Sequence, residues 1–191
     1  MTAVLRPEPI ITQLYSSPCG TLVLGSFEDK LCLCNWQESK RNGRVMKRLQ
    51  QELRTSVKSG TSAVLKLARQ ELDEYFSGSR TSFSLPLLLC GTAFQKQVWQ
   101  ALMLIPYGAT ISYSQQAQRL GKPSAIRAVA NANRANAISI LVPCHRVIGK
   151  DCTLTGYAGG LPAKNYLIHL ESETLNLQEN RLYLSLTNSN T

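Results

Sequence analysis

The stretch Ile140-Leu-Val-Pro-Cys-His-Arg-Val-Ile-Gly149 places a thiol, an imidazole and a guanidinium in consecutive positions, Cys144, His145 and Arg146, directly after Pro143. The thiolate is the nucleophilic form of cysteine, and nearby positive charge and free backbone N–H groups lower a thiol pKa. The apolar run 140–142 reads as the end of a buried strand, which Pro143 stops because it has no N–H to donate. On a regular strand Cys144 and His145 would face opposite sides. At a proline-forced turn His145 can reach the thiol directly or through a water. The pattern predicts an activated cysteine; its rival is a small buried hydrophobe, the usual state of a free cysteine.

The segments on either side must position this turn. Thr92-Ala-Phe-Gln95 is a capping box, and Phe94, Val98, Ala101, Leu102 and Ile105 make one apolar helix face that Pro106 and Gly108 end. Ser112-Tyr-Ser-Gln115 is a second capping box, opening a short helix to Leu120 with Gly121 as its stop. Pro123 suits the first turn of a further helix to about Arg134. Helix, glycine-containing turn, helix is a helix-turn-helix pattern. On the second helix Ile126, Val129, Ala130 and Asn133 share a face, whose apolar members should pack inward, while Arg127, Asn131 and Arg134 share another. Small alanines (Ala125, Ala128, Ala132) would let it approach a nucleic-acid groove. A solvated charged face is the alternative; the local charge excess favours DNA.

Beyond the turn, Tyr157-Ala-Gly-Gly-Leu-Pro162 has paired glycines that permit close backbone approach to a flat ligand, or merely a flexible turn. Pro162 should open a helix to Glu171. Glu171 lies four residues after Leu167 and so shares its buried face, where a carboxylate could orient His145; a solvated helix end is the rival. The tail from Thr174 alternates Leu175, Leu177, Leu182, Leu184 and Leu186, which reads as a docking hairpin or a half-ordered tail.

The first half looks like support. After a loose lead-in over 1–9, strand-like runs at 10–15, 21–27 and 31–36, joined by short turns, predict an antiparallel meander. A basic segment (Lys40, Arg41, Arg44, Lys47, Arg48) leads into a helix over 45–58, either a phosphate-contacting or a solvated face. Leu65, Ala68, Leu72, Tyr75 and Phe76 recur at helical spacing before Gly78. Residues 82–88 form an extended segment that Pro86 places at a sheet edge. No catalytic constellation stands out here.

Composition is that of a globular chain of 191 residues, 43% hydrophobic and 17% charged. No run approaches the ~18 apolar residues of a membrane span, and no signal-peptide pattern follows Met1, so a cytoplasmic chain with no membrane partner is expected. The net charge of +9 points to an anionic partner, nucleic acid first. Between 91 and 170 eight Lys/Arg face one acid, Asp151. The six cysteines show no disulfide framework; Cys32 and Cys34 fit same-face core positions better than half a zinc site.

In their order, Phe94-Gln-Lys-Gln-Val-Trp99, Ile105-Pro-Tyr-Gly108, Ile111-Ser-Tyr113, Ala125-Ile-Arg-Ala-Val129, Asn133-Arg-Ala-Asn136, Val142-Pro-Cys-His-Arg-Val-Ile-Gly149, Gly156-Tyr-Ala-Gly-Gly160 and Glu171 resemble the methylated-DNA–protein-cysteine methyltransferases, over about 11–172. The resemblance implies an α/β chain of α+β type. A small ribonuclease-H-like antiparallel sheet with helices (1–89) would precede a mainly helical, helix-turn-helix part (90–173) and a tail (174–191). It implies single-turnover repair, with the O6-alkyl group of a flipped-out guanine, and less readily that of O4-methylthymine, passing to Cys144. Catalysis would involve Cys144, His145 as base through a water, Glu171 holding His145, and Asn136 bracing the turn. Tyr113, Ser124, Arg127, Asn131 and Arg134 would contact DNA, Arg127 filling the gap left by the flipped base. Pro143, Val147, Tyr157, Ala158 and Gly159 would line the pocket. No metal or organic cofactor is implied, the partner is double-stranded DNA carrying O6-alkylguanine, and a monomer is expected. Two departures are Ala158, where some members carry Ser, and Ala137, where Pro often follows the Asn. The competing readings are a lesion-binding relative that does not transfer, for which Trp would replace the acceptor Cys; a helix-turn-helix transcription factor; and a Cys–His hydrolase.

Overall fold

The computed structural model describes residues 8–188, with side chains through residue 178; most of the expected lead-in, and the side chains of Leu182, Leu184 and Leu186, lie outside the described residues. Three strands, β1 (Ile10–Ser17), β2 (Gly20–Phe27) and β3 (Lys30–Trp36), form the antiparallel meander that their alternation predicts. The helix expected over 45–58 is instead α1 (Asn42–Leu53), closed by Arg54 in the left-handed conformation. Val57–Ser59 then forms β4, parallel to β1, so the sheet order is β3-β2-β1-β4. Helix α2 (Ala63–Phe76), capped by the Ser62 hydroxyl, buries Leu65, Ala68, Leu72 and Tyr75 and packs on β1, β2 and β3.

The outer edge of β3 joins the two halves. Leu31 N–H donates to Pro86 and Leu88 N–H to Leu31, both at 2.9 Å, so the 82–88 segment runs along this edge. Farther along, Cys34 N–H donates to the Ala137 carbonyl (2.9 Å) and Ser139 N–H to the Cys34 carbonyl (2.6 Å). A strand edge would otherwise expose unpaired N–H and C=O groups; here those groups fix the backbone that leads into Cys144. Arg48 reinforces the joint: its guanidinium donates to the Ala135 carbonyl at 2.9 Å and lies 5.5 Å from the Trp99 ring.

Helices α3 (Ala93–Met103) and α4 (Tyr113–Arg119) both begin with complete capping boxes, at Thr92/Gln95 and Ser112/Gln115. Gly121 ends the second with φ +67°, and α5 (Ile126–Arg134) follows after a turn. Pro123 lies in that turn rather than in the first turn of α5. Val129 and Asn133 are buried, but Ile126, expected inward, is 40% exposed because it sits at the very start of the helix. Buried Gln116 and Asn133 are paired at 2.7 Å, which locks α4 to α5.

The run 140–142 is buried but is not a strand. It is a turn with Ile140 at φ +72°, a conformation that is an outlier for a β-branched residue. Cys144–Arg146 is a single 3-10 turn, followed by a two-strand parallel pairing of β5 (Ile111–Ser112) with β6 (Val147–Ile148). The tail is not a hairpin: α6 runs from Gly160 to Asn188. No Gly or Pro occurs between Ala163 and Thr191 to stop it. Leu167, Glu171 and Thr174 form its buried stripe, at helical rather than strand spacing. Among the described residues no helix is long and apolar enough to cross a membrane.

Candidate active site

Cys144 sits at the first position of the 3-10 turn, 9% exposed. Asn136 holds that turn from within. Its amide donates to the Val142 carbonyl (2.8 Å), the Ile138 carbonyl (3.4 Å) and Cys144 Sγ (3.3 Å), while its Oδ1 accepts from Ile138 N–H (2.9 Å). The backbone is thus tied into a loop from both ends of one amide.

Behind Cys144 lies a buried charged cluster centred on Glu171, 1% exposed. Its Oε1 accepts from Tyr75 Oη, His145 Nε2 (both 2.8 Å) and Arg146 Nη2 (2.9 Å). Its Oε2 accepts from Arg146 Nε and Gly108 N–H, both at 2.9 Å. Gly108 makes this approach with φ +73° against Leu175 of α6, a place where only glycine fits. Burial alone would raise the Glu171 pKa, but the bonds and charges of His145 and Arg146 override it and hold the carboxyl at about 2.

The ionised carboxylate fixes the histidine tautomer. Glu171 can only accept, so His145 Nε2 carries the proton and Nδ1 keeps its lone pair. Nδ1 is buried and makes no hydrogen bond to the described residues. Burial pushes the His145 pKa down, with Glu171 opposing, so the ring is neutral and able to take a proton.

Cys144 differs from the sequence expectation. Arg146 does not face the thiol: its guanidinium turns to Glu171 and to the Ile105 carbonyl (2.6 Å), 5.6 Å from the Tyr107 ring. Burial therefore dominates and raises the thiol pKa, while Asn136 and Lys164 pull it down. At rest the sulfur is protonated and needs a base. Lys164 itself is fully buried, donating to the Val147 carbonyl (2.6 Å) and the Thr155 carbonyl (2.9 Å); burial lowers its pKa to about 8. Its ammonium has no carboxylate partner among the described residues. With Arg146 neutralised by Glu171, Lys164 is the cation whose charge lowers the thiol pKa.

A cavity of about 10 Å³ beside Cys144 is walled by Asn136, Tyr113, Arg134, Tyr157, Ala158 and Arg41 among others. That is room for about one water. Of the pocket residues expected from sequence, Tyr157 and Ala158 line it, and the Tyr157 ring meets His145 edge-on at 6.4 Å. Val147 is buried and contributes its carbonyl to Lys164. Pro143 faces a different cavity, with Arg146 and Tyr107. Gly159 is used for packing, since a Cβ there would lie 2.5 Å from the Trp36 ring. Ser124, Arg127, Asn131 and Arg134 are exposed on the α4–α5 side, and Tyr113 begins α4 at the cavity wall. Tyr75 and Lys164 carry parts of the site that spacing did not reveal, and Arg146, expected beside the thiol, serves Glu171 instead. Among the described residues no cluster of His, Cys, Asp or Glu could hold a metal ion.

Fold and site together define a buried-thiol protein on a helix-turn-helix body, with a histidine, carboxylate and arginine behind the sulfur. Residues 10–89 match the model of the 6-O-methylguanine DNA methyltransferase ribonuclease-like domain, and residues 93–173 that of the 6-O-methylguanine DNA methyltransferase DNA binding domain. A constitutive methylated-DNA–protein-cysteine methyltransferase of Bacillus subtilis is 42% identical over 164 residues, 81% of this chain and 91% of that protein. The Methanosarcina acetivorans methyltransferase is 40% identical over 158 residues, 83% and 96% of the two chains. The crystal structure of a Mycobacterium tuberculosis O6-methylguanine methyltransferase superposes with TM-score 0.73 at 37% identity, covering 86% of this chain and 94% of that one. The M. tuberculosis protein in complex with DNA gives 0.74 at 38%, with the same coverage. The chain belongs to the methylated-DNA–protein-cysteine methyltransferase family.

Proposed function

We propose that this chain repairs duplex DNA by taking the O6-alkyl group of a flipped-out guanine, and less readily the O4-methyl group of thymine, onto Cys144, once per molecule. The observation that carries the reading is the closed, protonated Cys144 held by Asn136 in front of a neutral His145 whose other nitrogen is fixed on Glu171. That arrangement can generate a thiolate on demand.

The exposed face with Ser124, Arg127, Asn131 and Arg134 contacts the duplex, and Arg127 at the start of α5 takes the space of the extruded base. An alkyl group within a stacked pair is out of reach of any buried sulfur, so the nucleotide rotates out, at a cost of a few kcal/mol. A cavity of about 10 Å³ cannot hold a base. Entry therefore displaces its wall, which includes Gly156, Tyr157 and Ala158 from a loop without regular structure. His145 Nδ1 takes the thiol proton through one bridging water. Sγ then attacks the alkyl carbon, the carbon–O6 bond breaks with its electron pair passing to guanine, and guanine recovers a proton through Tyr113 at the cavity wall. Lys164 stabilises the thiolate while it exists. The product thioether has no leaving group for a second nucleophile, so the protein is consumed. The step draws on protein and DNA groups alone, and one chain suffices.

The test is incubation with duplex DNA holding O6-methylguanine, followed by the mass of the Cys144 peptide. A gain of one methylene unit in a single stoichiometric burst is expected. Sustained turnover, or lesion binding without mass gain, overturns the reading.

A further inference from the structure

Helix α2 contributes Tyr75 to the Glu171 cluster from the half of the chain that the sequence casts as support. Tyr75 is 0% exposed, with its ring among Phe76, Phe83 and Tyr107 at 5.3, 5.4 and 6.0 Å. Ring packing alone would be served by phenylalanine. The hydroxyl instead donates to Glu171 Oε1 at 2.8 Å, the same oxygen that receives His145 Nε2. Arg146 Nη2 donates to this oxygen as well, at 2.9 Å, and each donor added to a carboxylate oxygen leaves the others less of its charge.

We propose that Tyr75 is a positioning residue for alkyl transfer, setting the basicity of His145 by competing for the Glu171 oxygen that the imidazole uses. Its functional meaning rests on the proposed reaction; its effect on His145 does not. The phenol keeps its proton, since burial raises its pKa well above the ordinary value, so it acts only as a donor. Of the other groups facing this cluster, Arg146 also uses Oε1 but is anchored independently by Oε2 and the Ile105 carbonyl, and the rest are fixed by different bonds. Arg146, on the same turn as His145, is paired with Glu171. Lys164 of α6 is held by the Val147 and Thr155 carbonyls. Tyr107 lies under Arg146, and Tyr157 meets the imidazole through its ring edge. Cys144, the proton donor, is bonded to Asn136. Removing the Tyr75 hydroxyl leaves all of these in place and reduces the donors on Oε1 from three to two, which gives His145 a fuller share.

The chain has two histidines, His145 and exposed His169, which makes the experiment self-controlled. Histidine NMR titrations of the full chain and of Tyr75→Phe should show the His145 midpoint higher in the variant by about half to one pH unit, with His169 unmoved. The acid limb of single-turnover methyl transfer should move upward with it. Superimposable His145 curves, a His145 that stays neutral in both chains down to acid unfolding, or a shift shared equally by His169 overturns the proposal. So does an NMR shift with no movement of the acid limb. An unsubstituted chain that transfers no methyl would defeat the proposed reaction, while the NMR comparison would still decide whether Tyr75 acts on His145.

Discussion

Glu171→Gln tests the charge logic of the site most directly. The ionised carboxylate is favoured in the folded chain because its pKa falls from 4.5 to about 2. At about 1.4 kcal/mol per pKa unit this difference is worth ~3 kcal/mol of stability. The folded value lies below the unfolded one, so the contribution is complete above pH 4.5 and is lost as pH falls through that value towards 2. Glutamine removes the titration and leaves the Arg146 guanidinium buried without its counter-ion, while the amide NH₂ confronts a donor from Tyr75, His145, Arg146 or Gly108. Breaking a buried pair from one side costs about 3–5 kcal/mol. Urea unfolding of both chains from pH 7 to pH 3 measures this. The variant should be less stable by that amount at pH 7, and the gap should narrow by about 2 kcal/mol towards pH 3. Two parallel stability curves would refute the argument, because they would mean that Glu171 is not held ionised by its neighbours.

Other substitutions separate chemistry from binding. Cys144→Ala should keep affinity for lesion-bearing duplex and abolish alkyl transfer; a variant that still cleared O6-methylguanine would show the acceptor to be elsewhere. Arg127→Ala should weaken retention of lesion-bearing duplex and slow transfer more than it weakens binding to intact duplex, measured by anisotropy; equal loss on both would reduce Arg127 to a phosphate contact. Lys164→Met removes the cation that lowers the Cys144 pKa, so the thiol should titrate at higher pH, read from the pH dependence of iodoacetamide alkylation on the Cys144 peptide. An unchanged profile would leave Lys164 as a strut between the Val147 and Thr155 carbonyls.

Local rules were legible where local physics decides. The meander follows from period-two alternation and short turns, and the starts of α3 and α4 from capping boxes that the structure completes on both sides. The sequence misled where the deciding interaction is remote. Val57–Ser59 is too short to signal a strand and exists because β1 offers it an edge. The apolar run 140–142 has the composition of a strand, yet Cys34 and Asn136 hold its surroundings in a turn that puts Ile140 in the left-handed region. The leucine alternation of the tail concealed the helical stripe Leu167, Glu171 and Thr174, which continues because nothing after Pro162 breaks it.

The same remoteness governs the site. Closeness in sequence suggested that Arg146 activates Cys144, but residues two apart on a 3-10 turn are rotated by about two thirds of a turn and point to different sides. The divergence sends Arg146 to Glu171, and with it the charge that was to lower the thiol pKa. What replaces it comes from farther along the chain: Asn136 and Lys164 on the sulfur, Glu171 on the histidine, Tyr75 on Glu171. A resting thiol that is protonated and nearly enclosed suits a reagent that can be used only once. A free thiolate at this position would be open to oxidation and stray electrophiles, and a sulfur spent on one of these is no longer available to DNA. With the Arg146 charge spent on Glu171 instead of on the sulfur, burial keeps the resting thiol protonated.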